Sequence, residues 1–306
     1  MELEILQNTY NKNFFNALNK VEQKIPPIWF MRQAGRYHQH YRKLKEKYSF
    51  EQLCKEPELA CEVTLGPIVE FDFDAAILFS DILFPLDYLG MSLKFNPGPI
   101  FEKNLSSKMI SEFNIDEFES FIDFQNISLK HIRNELSNDK SLIGFTGGPV
   151  TLYHFATRNN PVSQTLFQQT LPVLEMLIQK NIQIQLQNDI DLLMIFDTEA
   201  NKLNDKDFDE FVIPFLVKIS NSYPNKIGYF TKEISQTKFN KLQNLKNLKL
   251  TVLGTNLEVF TELPKTHLSL QGNFSNDLLA MEDTKSFSDY IDKYIEKCLQ
   301  LSLIHI

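Results

Sequence analysis

Short apolar runs alternate with longer segments of helical spacing along most of the chain. The apolar runs have the length of buried strands, and there are eight of them: residues 28–31, 76–79, 142–145, 192–196, 226–230, 248–253, 267–270 and 303–306. Two of the intervening segments place apolar residues on one helical face: Leu59, Ala60, Val63 and Gly66, and then Leu174, Ile178, Ile182 and Leu186. Strands that alternate with helices through a whole chain predict a parallel sheet.

The number of repeats favours one of the two architectures that a parallel sheet allows. Eight strand–helix repeats fit a closed barrel, and barrels of this kind reach the length of this chain, 306 residues, as one domain. We therefore predict an α/β fold, a single TIM-type (β/α)8 barrel domain over residues 1–306, with a doubly wound open sheet as the alternative. The acidic stretch 101–125 is interpreted as a surface excursion of this domain.

Composition excludes several classes of protein. Hydrophobic residues make up 43% of the chain and charged residues 23%, which is too apolar for a disordered protein. A net charge of -8 argues against a general nucleic-acid binder, because such a protein needs a basic surface to displace the counterions of phosphate. The three cysteines lack the spacing of a zinc site, so we expect neither a disulfide framework nor a metal.

The start of the chain carries no targeting signal that we recognise. Residues 1–25 mix charged side chains with short apolar runs, which is typical of neither a signal peptide nor an anchor. No apolar run reaches the length of a membrane span. We expect a cytoplasmic protein that does not bind membranes.

The most unusual segment is 27–42, which reads P-I-W-F-M-R-Q-A-G-R-Y-H-Q-H-Y-R. Only five arginines occur in the chain, and Arg32, Arg36 and Arg42 fall within eleven positions of one another. The forked guanidinium group binds carboxylates through two parallel hydrogen bonds, so this cluster would suit a ligand with several carboxylates. A solvated loop with surface ion pairs explains the cluster about as well.

An acidic side chain, Asp81, interrupts the apolar segment A-A-I-L-F-S-D-I-L at residues 75–83. A carboxylate in such surroundings is costly unless a cation pairs with it or N–H groups donate to it. One partner would be Arg32 or Arg36, in a structural ion pair. The other interpretation is that Asp81 accepts hydrogen bonds from N–H groups of a ligand.

Two further polar segments follow predicted strands, where a barrel gathers its functional loops. The first, G-F-T-G-G-P-V-T-L-Y-H-F at residues 144–155, has glycines that allow close approach to a ligand but no phosphate-binding motif, and His154 is interpreted as structural. The second places Asp197, Thr198 and Glu199 after a buried strand. Carboxylates so close in sequence usually diverge, so they predict no acid–base pair by themselves.

These segments, in this order, resemble the uroporphyrinogen decarboxylase family. The motifs that carry the resemblance are M-R-Q-A-G-R-Y at 31–37, F-S-D-I-L at 79–83, L-G-M-S-L-K-F-N-P-G-P at 89–99, G-P-V-T-L at 148–152, I-F-D-T at 195–198 and Q-G-N at 271–273. The first of them is the family's most specific signature. Together they span nearly the whole chain.

The resemblance implies a barrel enzyme that forms a homodimer and uses no metal and no cofactor. Its substrate would be uroporphyrinogen III, a small molecule with eight carboxylates, whose four acetate side chains are decarboxylated to give coproporphyrinogen III in haem biosynthesis. By match to the family's motifs, the catalytic residues would be Asp81, Arg32 and Arg36. The expected substrate-binding residues are Arg32, Gln33, Ala34, Gly35, Arg36, Asp81, Phe155 and Thr198.

The chain departs from the family's pattern at several positions. Phe155 stands where the family has a tyrosine, unless a shifted register lets Tyr153 replace it, and Thr198 stands where serine is usual. His38, Gln39 and His40 replace a common L-P-E, and Asn256 and Leu257 replace D-W. The family's N-L-G-H-G segment has no counterpart before Ile306, so we expect a barrel that is incomplete after its eighth strand, and His305 receives no catalytic role.

Two other functions remain open at this point. A methyltransferase of the same superfamily would need zinc held by His and Cys, for which the sequence offers no plausible ligand set. A remnant that binds porphyrinogen without turnover would tolerate Phe155. Retention of Arg32, Arg36 and Asp81 favours the enzyme, because a binding remnant has no use for a costly buried carboxylate.

Overall fold

The computed structural model describes residues 12–157, 164–252, 266–272, 282–300 and 303–304. Nine strands occur in these ranges: β1 Ala75–Ile77, β2 Leu93–Phe95, β3 Pro99–Phe101, β4 Ser141–Gly147, β5 Leu192–Phe196, β6 Ile227–Phe230, β7 Leu248–Val252, β8 Ser269–Gln271 and β9 Leu303–Ile304. Predicted positions Leu253 and 305–306 lie outside the described residues.

Seven of these strands form one parallel sheet in the order β1-β4-β5-β6-β7-β8-β9. The order follows the sequence, with a crossover between neighbours, which is the arrangement of a barrel and not of a doubly wound sheet. Within the described residues β1 and β9 are the edge strands, so the barrel is incomplete. The predicted class, an incomplete TIM-type α/β barrel, is confirmed.

The predicted first strand, 28–31, is the main difference from the expected eight. Only Ile28 bridges the sheet: the Asp74 N–H donates to the Ile28 carbonyl over 2.9 Å. The Ile28 N–H donates instead to the Asp74 carboxylate over 2.7 Å. Pro26 and Pro27 have no N–H to extend the ladder, and the chain turns at Met31. The segment therefore lies beside β1 without forming a strand.

Helices connect the strands and cover the sheet. The described helices are α1 Lys12–Leu18, α2 Gln39–Lys45, α3 Phe50–Lys55, α4 Pro57–Phe71, α5 Phe84–Leu86, α6 Ser107–Glu112, α7 Ile115–Glu135, α8 Pro149–Thr157, α9 Gln164–Leu186, α10 Asp205–Asp207, α11 Ile213–Ser222, α12 Gln236–Leu242 and α13 Thr284–Gln300. Both predicted helical faces fall inside helices, the first in α4 and the second in α9. No helix in the described ranges is long and apolar enough to cross a membrane.

The interpretation of residues 101–125 as a surface excursion is wrong for residues 115–125, whereas α6 within the same stretch has no buried residue. Residues 115–125 begin α7, a helix of 21 residues that packs between α4 and α9. Its apolar face is continuous, because Phe118, Ile122, Leu129 and Ile132 are fully buried. The acidic residues of the segment lie on the opposite, solvated face, and they dominated the sequence pattern.

The core lies on both faces of the sheet. All seven residues of β4 are buried, as are all residues of β5 except the partly buried Phe196. Parallel strands covered on both sides are expected to be uniformly apolar, which is why these runs were recognisable in the sequence. Gly144 in β4 lets α9 approach closely, since an added Cβ would lie 2.5 Å from Oε1 of Gln185.

A buried amide, that of Gln185, joins α9 to β4. It accepts a hydrogen bond from the Phe145 N–H over 2.9 Å and donates to the Phe145 carbonyl over 2.7 Å. Because a buried backbone group without a partner costs about 1–3 kcal/mol, Gln185→Ala should lower the free energy of unfolding by about 3 kcal/mol. Urea unfolding would measure the loss. Gln183→Ala, an exposed position of the same helix, should change it by less than about 0.5 kcal/mol, and equal losses would contradict this role.

Candidate active site

The loop that carries the arginines is fixed to β1 by Gln33. The Gln33 side chain is buried, donates to the Ala75 carbonyl over 3.0 Å and accepts from the Phe30 N–H over 3.2 Å. With this residue turned inward, Arg32 and Arg36 on either side of it are exposed. The predicted contact of Gln33 with a substrate stays a prediction, while its side chain demonstrably holds the loop.

Arg42 differs in role from the other two clustered arginines. Its Nη1 donates to the carbonyls of Arg36 and Tyr37 over 3.0 and 2.7 Å, so its guanidinium holds the loop backbone. The Tyr37 hydroxyl donates to the Gln33 carbonyl in the same loop. Arg32 and Arg36 make no side-chain hydrogen bond or ion pair with any residue that the structure describes. Two forked cations are therefore presented on a braced loop.

The far end of the loop is fastened to α4 by two histidines. Nε2 of the buried His38 lies 2.6 Å from Oε2 of Glu70, and Nε2 of His40 lies 3.1 Å from Oε1 of Glu62. Gly66 leaves room for both rings, because an added Cβ would lie 2.9 Å from Cε1 of His38. The two histidines that depart from the family's pattern, His38 and His40, are therefore each paired with a glutamate of α4.

Asp81 follows β1 and lies partly buried near Arg32. Its Oδ1 accepts a hydrogen bond from the Leu83 N–H over 2.8 Å. Burial raises the pKa of Asp81 to about 6, against the opposing effects of the Leu83 hydrogen bond and the Arg32 charge. The carboxylate is therefore mostly ionised at neutral pH. The structural ion pair of Asp81 with Arg32 or Arg36 that the sequence offered is not formed among the described residues, although the Arg32 charge acts on the carboxylate.

Two residues that the sequence reasoning missed share this environment. Burial raises the pKa of the Cys54 thiol well above its usual value, and the charge of Asp81 raises it further. Burial and Cys54 also raise the pKa of Tyr41, whereas the Arg36 charge lowers it. The Tyr41 ring packs against Phe79, with centroids 5.6 Å apart. Helical spacing in α2 and α3 was the only available signal for this pair.

The neighbouring wall of the site is formed by α8 and the exit of β5. The Thr151 N–H donates to Oδ1 of Asp197 over 2.7 Å, and the hydroxyl oxygens of Thr151 and Thr198 lie 3.5 Å apart. Phe155 is one turn beyond Thr151 on the same face of α8 and is partly buried. Tyr153 lies two residues beyond Thr151 on a different face of α8, and the alternative that it replaces the family's tyrosine stays a prediction.

The two walls meet at the carboxyl ends of adjacent strands. β4 pairs with both β1 and β5, so the segments that follow these three strands are neighbours. A Cβ added to Gly147 would lie 3.2 Å from Cβ of Ile82, directly after Asp81. Ala34 and Gly35 are partly buried in the arginine loop. Asn273 of the Q-G-N motif lies outside the described residues.

His154 and Glu199 lie together at the rim, with Nε2 of His154 3.6 Å from Oε2 of Glu199. Lys202 approaches the same Glu199 oxygen to 2.5 Å, so Glu199 is held in surface ion pairs. This agrees with the interpretation that Asp197 and Glu199 diverge. In the described ranges, no group of three or more His, Cys, Asp and Glu side chains is arranged to hold a metal ion.

Fold and site together define a TIM-type barrel whose candidate site lies where the strands end, with a partly buried carboxylate that follows β1 and feels the charge of Arg32 on the arginine loop. The model of one protein family, uroporphyrinogen decarboxylase (URO-D), matches residues 9–303. The chain belongs to the uroporphyrinogen decarboxylase family.

Individual relatives extend this finding over most of the chain. The uroporphyrinogen decarboxylase of Geotalea daltonii is 30% identical over 310 residues, which cover 94% of this chain and 88% of that protein. The one from Thermodesulfovibrio yellowstonii is 30% identical over 309 residues, covering 94% and 87%. The one from Ruthia magnifica is 37% identical over 248 residues, covering 75% and 70%.

A solved structure with a different description shares the fold. It is a methyltransferase from Methanosarcina mazei, with a TM-score of 0.78, 16% identity, and coverage of 97% of this chain and 92% of its own. A likeness at this level of identity concerns the fold alone, because one barrel supports many chemistries.

Proposed function

We propose that this chain is a uroporphyrinogen decarboxylase that converts the four acetate side chains of uroporphyrinogen III to methyl groups, yielding coproporphyrinogen III without metal or cofactor. The observation that carries the proposal is Asp81, a partly buried carboxylate that is ionised at neutral pH beside the arginine loop. Family membership supports the same reaction. The homodimer and the cytoplasmic location remain expectations from the sequence.

Substrate carboxylates would bind to Arg32 and Arg36. Both guanidinium groups are exposed, on a loop braced by Gln33, Tyr37 and Arg42. Because the loop backbone is already braced, binding a carboxylate there costs less backbone entropy than ordering a mobile loop would. The anionic substrate is thereby held by cations that have no competing partner among the described residues.

Asp81 would accept hydrogen bonds from the pyrrole N–H groups of the substrate. When a ring carbon next to the acetate-bearing position is protonated, the ring becomes cationic, and a fixed carboxylate in a site of low dielectric stabilises that charge. The bond between the methylene carbon and the carboxylate then breaks, its electron pair moves into the ring, and carbon dioxide leaves. A proton added to the methylene carbon and one lost from the ring complete the methyl group.

Replacing each binding arginine by lysine tests the proposal at the substrate. Arg32→Lys and Arg36→Lys keep the charge but lose the fork, so each should raise KM for uroporphyrinogen III about tenfold, the equivalent of about 1.4 kcal/mol. Anaerobic assays with separation of the porphyrinogen products would measure KM and kcat. Arg133→Lys is the matched control, because its guanidinium is bound to the carbonyls of Leu136 and Ser137.

The outcomes separate the proposal from its rivals. Turnover with KM unchanged in both lysine variants would contradict carboxylate binding by this loop. Binding of uroporphyrinogen III without turnover by the folded chain would favour the binding-only alternative. Phenylalanine in place of tyrosine at position 155 is one departure that would explain such a result, since it removes a hydroxyl from the predicted site wall.

A further inference from the structure

Asp197 is a fully buried carboxylate for which the proposed reaction has no use. It follows β5 and has 0% of its surface exposed. Oδ1 accepts from the Thr151 N–H over 2.7 Å, and Oδ2 accepts from the Tyr229 hydroxyl over 3.3 Å. Burial raises the pKa of Asp197 to about 6, and the nearby Val150 N–H and the Thr151 and Tyr229 donors oppose that rise. A carboxylate that is fully buried and held by donors of two elements needs an explanation.

The shorter of its two hydrogen bonds comes from the first turn of α8, and the longer one comes from Tyr229 in β6. The first N–H groups of any helix have no partner within the helix, and a carboxylate beside them is stabilised by both hydrogen bonds and the helix dipole. The backbone of the same strand end takes part, because the Gly148 N–H donates to the Phe196 carbonyl over 2.9 Å. The exit of β5 thus caps α8 from outside the helix.

The cap depends on a glycine. A Cβ added to Gly148 would lie 2.2 Å from Cγ and 2.3 Å from Cβ of Asp197, closer than any real contact. Asp197 can reach the N–H groups of α8 only because position 148 has no side chain. Gly148, the first residue of the G-P-V-T-L motif, therefore allows this carboxylate to approach α8.

The network continues from the cap to the candidate site. The Thr151 hydroxyl accepts from the Glu199 N–H over 3.0 Å and lies 3.5 Å from the Thr198 hydroxyl. The carboxylate thereby fixes two elements relative to each other, α8 with Phe155 and the β5 exit with Thr198. Both are predicted to contact substrate, whereas Asp197 itself has no exposed surface with which to do so.

We propose that Asp197 is a positioning residue, which aligns the substrate-binding residues Phe155 and Thr198 by capping α8 from the end of β5. This inference rests on the proposed function and adds to it the device that holds one wall of the site. Asp197→Asn keeps the size of the side chain but removes its charge and turns one acceptor oxygen into a donor, so the Tyr229 hydroxyl can no longer donate to it. The wall should loosen while the barrel remains folded.

The chain provides a matched control in Asp191, at the opposite end of the same segment. Its Oδ2 accepts from the Leu142 N–H over 2.8 Å, so it too joins the β5 region to β4. Asp191 precedes β5, whereas the candidate site follows β5, so Asp191→Asn removes a comparable carboxylate bond far from the site. A merely structural role predicts similar effects of the two substitutions on catalysis.

Steady-state kinetics with uroporphyrinogen III separates the two roles. A misaligned binding wall weakens ground state and transition state alike, so Asp197→Asn should raise KM about tenfold and change kcat less than about threefold. Thr151→Val removes the hydroxyl contacts with the Glu199 N–H and the Thr198 hydroxyl but keeps the Thr151 N–H on Asp197, and it should raise KM about threefold even if Asp197→Asn folds poorly. Asp191→Asn should leave KM at the wild-type value. Equal KM values in all four proteins would overturn the proposal.

Amide hydrogen exchange gives a readout that does not require turnover. Asp197→Asn should speed exchange in peptides that contain residues 149–157, and Asp191→Asn should not. If the wild-type chain shows no decarboxylation, the proposed function fails, and the exchange result alone decides whether Asp197 holds α8. Unchanged exchange in Asp197→Asn would show that α8 is positioned without it.

Discussion

Replacing Asp81 by asparagine should reduce the rate of uroporphyrinogen III decarboxylation by a factor of about 10³. Among the described residues that the proposal places against the substrate, Asp81 is the one with a negative charge to stabilise positive charge on the pyrrole ring. Asparagine keeps the shape and still accepts the hydrogen bond of the Leu83 N–H, which the carboxylate accepts over 2.8 Å. The loss therefore reports charge and not packing.

The same substitution should make the protein more stable at neutral pH. Folding raises the pKa of Asp81 to about 6, above the usual value near 3.9, so the folded state binds the proton more tightly than the unfolded state. The stability contributed by this group is present below about pH 4 and is lost as the pH rises through about 6. A pKa shift of about two units corresponds to about 3 kcal/mol of free energy. At pH 7.5, Asp81→Asn should therefore raise the free energy of unfolding by up to about 3 kcal/mol.

Urea unfolding at pH 7.5 and at pH 4, together with anaerobic turnover, checks both effects. Asp87→Asn is the control, since Oδ1 of Asp87 accepts from the Leu93 N–H over 2.9 Å and Oδ2 lies 3.4 Å from Nζ of Lys55, outside the proposed site. Its turnover should stay close to that of the wild type. An Asp81→Asn variant with undiminished turnover would remove Asp81 from the mechanism.

Gly148→Ala should lower the free energy of unfolding by about 3 kcal/mol or more. The new methyl group would lie 2.2 Å from Cγ of Asp197, and both positions belong to buried backbone at the end of the sheet. Overpacking a well-filled interior typically costs about 1–3 kcal/mol, and this contact is at the severe end because a side-chain rotation cannot relieve a clash with Cβ of Asp197.

Gly98→Ala is the matched control for this substitution. An added Cβ there meets no atom within 4 Å, so its effect on the free energy of unfolding should stay within about 0.5 kcal/mol. Thermal and urea unfolding of both variants would measure the difference. Equal stability of the two variants would mean that the β5 exit can move away from α8, contrary to the proposed cap.

The parallel sheet was predictable because its strands are buried on both faces. Continuous apolar runs such as those of β4 and β5 are typical of strands in a buried parallel sheet. The segment 28–31 has the same pattern, but the carboxylate of Asp74 takes the N–H that would have extended the ladder. A competing side chain 46 residues further along the chain has no local signature.

Charge concealed other elements from the sequence pattern. The N-terminal half of α7 is acidic on its solvated face, which hid the buried Phe118 and Ile122.

The hairpin of β2 and β3 was missed for a different reason, because its strands are three residues each and only partly buried. Short strands carry too few alternations for a periodicity to be recognised.

The candidate site could be predicted as far as its residues lie in unusual local patterns. A carboxylate within an apolar run marked Asp81, and clustering marked Arg32 and Arg36. Other features of the site depend on contacts that only the folded chain brings about. They are the distinct role of Arg42, the proximity of Tyr41 and Cys54 to the site, and the cap formed by Asp197. Such contacts are set by the packing of the barrel and leave no trace in the spacing of residues.

The most direct test of the proposed function is the anaerobic release of carbon dioxide from uroporphyrinogen III labelled in its acetate carboxyl groups, catalysed by the purified chain. The proposal predicts four labelled molecules of carbon dioxide per substrate, coproporphyrinogen III as the product, and almost no release by the Asp81→Asn variant. A folded wild-type chain that binds uroporphyrinogen III but releases no carbon dioxide would contradict it.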